Sequence, residues 1–90
     1  MTLAQRIDDR RDDLIALTQA LIRIPTLNPP GANYREICDL LARRLGDAGF
    51  EIELLRATGT PGDSDAYPRW NLVARPDGTR AGDCVHFNGH

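Results

Sequence analysis

Several things are scarce or missing in this chain of 90 residues. No apolar run approaches the ~20 residues a helix needs to cross a bilayer, which excludes a transmembrane helix from the reading. The opening stretch, "MTLAQRIDDRRDD", lacks the continuous apolar segment of a secretory signal, and its aspartates argue against a transit peptide. Neither sign of charge is in excess: 13 acidic and 11 basic residues are interleaved and leave a net charge of −2. That balance gives no footing for nucleic acid or an anionic membrane surface as a partner. Cysteine is limited to Cys38 and Cys84, on different expected elements and without CxxC spacing. Both read as buried, reduced thiols used as small apolar residues. A cytoplasmic location is the expectation that follows. Internal repeats and low-complexity segments are absent as well.

What is present is ordinary for a soluble globular protein, with 41% hydrophobic and 27% charged residues. A chain this short buries little more than ~60% of the surface its unfolded form exposes, so a missing neighbour is felt. Leu3, Ile7, Leu14, Leu17, Leu21 and Ile24 recur at helical spacing, with a gap at Arg10 and Arg11. Thr2 with Gln5 makes a capping box for this helix, and Pro25 ends it. "PTLNPPG", residues 25–31, is expected to be a rigid surface loop, serving either as a plain connector or as one wall of a site.

A second helix starts at Asn33, which with Glu36 suggests another capping box. Tyr34, Ile37, Leu41, Leu45 and Ala48 form its apolar stripe, and Gly49 is the expected left-handed terminator. Phe50, Ile52 and Leu54 then alternate with Glu51, Glu53 and Leu55, the pattern of a strand with one buried face. Residues 57–68 read as a loop whose glycines precede no helix start, which speaks against a nucleotide site. A second strand is expected over "WNLVAR" and a third over "CVHFNGH", joined by the turn signal "PDG" into an antiparallel hairpin. Two helices followed by three strands predict an α/β domain with helices layered on a sheet.

The third expected strand carries the chemistry. Alternation sets Val85, Phe87 and Gly89 on one face and Cys84, His86, Asn88 and His90 on the other. His86 and His90 cannot share one zinc ion, because four residues of strand span roughly 13 Å while Zn–N bonds are only ~2.0–2.1 Å. His90 is the better ligand candidate: it follows Gly89 and sits at a strand's carboxyl end, where sites gather in open α/β sheets. His86 reads as a hydrogen-bonded core histidine, and a structural or exposed role also stays open for His90.

Four segments, "LIRIPTLNPPG", "LARRLGDAGFEIELL", "PRWNLVAR" and "VHFNGH", follow the order and intervals seen at the start of one enzyme family. The chain resembles the zinc amidohydrolases that include acetylornithine deacetylase, succinyl-diaminopimelate desuccinylase, aminoacylase and glutamate carboxypeptidase. The resemblance covers nearly the whole chain, and its most specific element is the strand ending in "NGH". It implies that His90 is the first metal ligand and that residues 1–90 are the N-terminal portion of a layered α/β/α catalytic domain. An orienting aspartate, a bridging aspartate, a glutamate base, the other ligands and a dimerisation domain would lie beyond His90, so the chain is expected to be truncated and inactive alone. It implies two zinc ions, with cobalt or manganese as substitutes, and a homo-oligomer that deacylates N-acyl amino acids. Dipeptidase or carboxypeptidase activity within the same family is the nearer alternative. A non-catalytic binding or structural module is the more distant one.

Overall fold

The computed structural model describes residues 1–76, 82 and 84–89. Among these the fold is mixed α/β: three helices followed by two antiparallel strands. Helix α1 runs over Leu3–Asp9, α2 over Arg11–Ile22 and α3 over Tyr34–Asp47; strand β1 covers Phe50–Arg56 and β2 Trp70–Pro76.

The expected first helix is two helices. Its apolar pattern lapses at Arg10, and there the backbone leaves the helical region (φ −97°, ψ 7°) before α2 begins. With no apolar side chain to pack at that turn, nothing compensates a local break. The capping box on α1 forms as expected: Thr2 Oγ1 accepts from the Gln5 amide at 3.2 Å and Gln5 Oε1 accepts from the Thr2 amide at 2.7 Å. The expected box on α3 does not form. Asn33 adopts a left-handed conformation (φ 61°), and its side-chain amide donates to the Pro25 carbonyl at 3.0 Å, tying the two ends of the 25–33 loop. Asparagine tolerates that backbone better than most residues, so the loop closure takes precedence over the cap.

Helix α3 ends as its sequence suggests, with Gly49 at φ 95° just beyond it. Strand β1 alternates half-buried and exposed positions along its whole length, Phe50, Ile52 and Leu54 facing inward. It pairs antiparallel with β2, Leu54 opposite Leu72 and Ile52 opposite Ala74, and Arg75 donates to Glu53 at 3.1 Å. Helix α3 packs across both strands. Ile24 and Cys38 are the buried apolar side chains among the described residues, so the core is thin. Beside α3 lies α2, with a groove of about 360 Å³ between them lined partly by Leu17, Ala20 and Leu40.

Here the sequence expectation is corrected. In place of two helices and three strands there are three helices and two strands among the described residues, with one helix laid on the sheet. β2 takes β1, and no hairpin forms between it and the 84–89 segment. Residues 84–89 form no strand, and Val85 and Phe87 stand exposed. Alternation supplies a strand's pattern but not its hydrogen-bond partners, and without a ladder an apolar face has nothing to pack on. The "PDG" turn lies partly outside the described residues.

Candidate functional site

His90, the expected metal ligand, lies outside the described residues. His86 is exposed, which corrects its reading as a core histidine. Cys84 is exposed too, so only Cys38 of the two thiols is buried. Burial, with Asp39 adding to it and Arg35 opposing it, pushes the Cys38 thiol up from its ordinary value. Its Sγ donates weakly to the Trp70 carbonyl at 3.9 Å, as a small apolar residue with a poor donor would. No three His, Cys, Asp or Glu side chains gather to hold an ion among the described residues, so these residues do not by themselves fit a zinc centre.

What the fold does assemble is a polar junction around Arg69, the residue immediately before β2. Its guanidinium donates from Nη1 to the Tyr34 hydroxyl at 3.0 Å and from Nη2 to Asn28 Oδ1 at 3.0 Å. The same group lies over the Tyr34 ring, 5.1 Å from its centre. One arginine thus joins the proline loop, the first turn of α3 and the entry to β2. The fit is close: a Cβ on Gly62 would sit 2.5 Å from Arg69 Nη2, and Gly62 already holds φ 86°. The positive φ favours glycine there, and an added methyl would have to displace the end of the Arg69 side chain.

Asp63 anchors the junction from below. Its side chain is 5% exposed, and it accepts from the Arg69 backbone N–H at 2.9 Å and from Arg56 Nε at 3.3 Å. The Arg69 amide first, and then Arg56, hold its carboxyl below the usual aspartate range. Arg56 also reaches Asp65 at 3.0 Å, and these two carboxylates raise its pKa. The 57–68 loop is therefore a built structure: Ala57 donates to the Arg69 carbonyl at 2.9 Å, and Arg56 and Asp63 close it across its base.

An open groove of about 390 Å³ runs beside this junction, lined in part by Tyr34, Arg35, Glu36 and Tyr67. Arg35 stacks over Trp70 at 4.6 Å from the ring centre and pairs with Asp39 at 3.0 Å. The loop 25–31 keeps Leu27, Asn28, Pro29 and Pro30 at the surface and buries Gly31, its one residue that lines this groove. The residue reading missed Arg69 and Asp63. The sequence signal for them was indirect: a charged residue directly before a strand, and an aspartate in a loop too long to be left unbraced. No family model matches the chain, and no curated protein or solved structure matches it either.

Proposed function

We propose that this chain is the opening portion of a metal-dependent amidohydrolase in which His90 is a metal ligand. The substrate would be an N-acyl amino acid of the acetylornithine or succinyl-diaminopimelate type, and the cofactor zinc. The observation that carries the reading is the ordered set of four segments ending in "VHFNGH". The fold is consistent with it in one respect. Arg69 of "PRWNLVAR" and Asn28 of "LIRIPTLNPPG" bond directly at 3.0 Å, so two of the four segments act as one unit. Peptidase activity on dipeptides shares every residue on which the proposal rests.

In the complete protein, an aspartate two positions after His90 would orient its imidazole from outside the metal's own ligands. The test is made on that protein. His90→Ala should remove bound zinc and hydrolytic activity together, and full activity at unchanged metal content would refute the assignment. Assays with acetylornithine, succinyl-diaminopimelate and dipeptides separate deacylase from peptidase.

A further inference from the structure

We propose that the groove beside Tyr34 and Tyr67 binds a small organic cation, a protonated amine or guanidinium on a short apolar stem, with Glu36 as its counter-charge. At about 390 Å³ the groove falls within the ~300–1,000 Å³ range of small-molecule sites. Its aromatic walls are fixed before any ligand arrives. Tyr34 is held by Arg69, whose Nη1 donates to its hydroxyl at 3.0 Å and whose guanidinium covers one ring face. Tyr67 is pinned to Ser64 twice. Its backbone N–H donates to Ser64 Oγ at 3.0 Å, and its carbonyl accepts from the Ser64 amide at 3.4 Å. Little has to be ordered when a ligand enters, which favours binding.

Charge decides the sign of the ligand. Arg35 is paired with Asp39 at 3.0 Å. In the adjoining junction the two cations, Arg56 and Arg69, are matched by two anions, Asp63 and Asp65. Glu36 also lines the groove, and among the described residues it has no ion-pair partner. The N–H groups of the first turn of α3 oppose it with only about half a positive charge, against the full charge of the carboxylate. The balance at the groove is negative.

Tyr67 adds a second attraction for a cation. It is 42% exposed, and among the described residues no arginine lies over its ring. The electron-rich face of a tyrosine attracts an ammonium or guanidinium within about 6 Å of its centre. Tyr34 already does this for Arg69. Ala66 and Pro68, on the same side of the groove as Tyr67 in the chain, offer apolar surface to the stem.

The inference stands on the groove alone and does not depend on the proposed function. The probe is n-butylammonium, which has neither amide nor carboxylate, so its binding is read separately from metal loading and deacylation. Titrated into the isotopically labelled 90-residue chain to about 20 mM, well past a millimolar Kd, it should give saturable amide shifts centred on Glu36 and Tyr67. Butanoate and butan-1-ol, its anionic and neutral matches, should bind more weakly. Glu36→Gln should weaken the cation about two- to fivefold, the range for an exposed ion pair, with unchanged far-ultraviolet circular dichroism. Tyr67→Leu should weaken it by about the same factor, and it carries the test if Glu36→Gln disturbs the fold. No saturable shift, equal binding of butanoate, or an affinity unchanged in these variants would overturn the proposal. Shifts centred on Leu17 and Leu40 would place the ligand between α2 and α3 and overturn it as well.

Discussion

Arg69 ties together three separate parts of the chain. Replacing it by alanine removes two side-chain hydrogen bonds and a stacking contact that join the loop, α3 and β2. With each bond contributing a net ~0.5–1.5 kcal/mol, the loss should total about 1–3 kcal/mol, measured by urea titration. Arg69→Lys should recover less than half of it, since an ammonium cannot present the planar fork that reaches both Tyr34 and Asn28. A lysine variant as stable as the parent would mean that the fork is incidental. Asp63 gives a pH signature. Its folded pKa is depressed, so its contribution is fully present above the unfolded value of ~3.9 and is lost as pH falls through the folded value. Melting curves of the parent and Asp63→Asn should therefore differ most at neutral pH and converge in acid. A gap that stays constant down to the acid limit would rule out the carboxylate as its source.

At the scale of elements, Gly62→Ala should be poorly tolerated, costing more than the ~1 kcal/mol of a glycine-to-alanine change at positive φ alone, because Arg69 must also move. Equilibrium unfolding checks this, and Gly59→Ala is the control, with φ 78° but open space around the new methyl. Much of the element map was legible in the sequence. The α3 stripe, its glycine stop, the alternation of β1 and the Thr2–Gln5 box all follow from local rules, and all are present. What was not legible depended on partners far along the chain. Asn33 carries the residue type and spacing of a cap, yet it serves Pro25 eight positions earlier. "CVHFNGH" carries a strand's alternation, yet residues 84–89 have no ladder to join. Periodicity reports which face would be buried, and it is silent on what would bury it. The candidate site shares that limit, because Arg69 and Asp63 acquire their roles only through contacts across the fold, and His90 lies outside the described residues.

The whole molecule offers a direct check on the proposed function. The 90-residue chain, incubated with zinc and an N-acetyl amino acid, should release no free amine. Hydrolysis requires a metal held by several ligands with a base within about 3 Å of its water, and the described residues gather no such set. Turnover that survives repurification and vanishes in His90→Ala would show that the catalytic groups had been misplaced. No described helix is long and apolar enough to cross a membrane.

The thin core has a calorimetric consequence. Apolar surface newly wetted on unfolding is what raises the heat capacity, at about 0.45 cal/mol/K for each Å². A fold whose buried apolar side chains, among the described residues, are Ile24 and Cys38 has little such surface left to expose. Its heat-capacity step should fall below the ~12–15 cal/mol/K per residue usual for globular proteins, and its thermogram should be broad and low. The free-energy curve against temperature would then be nearly flat, so cooling would weaken this chain less than it weakens a protein with a full interior.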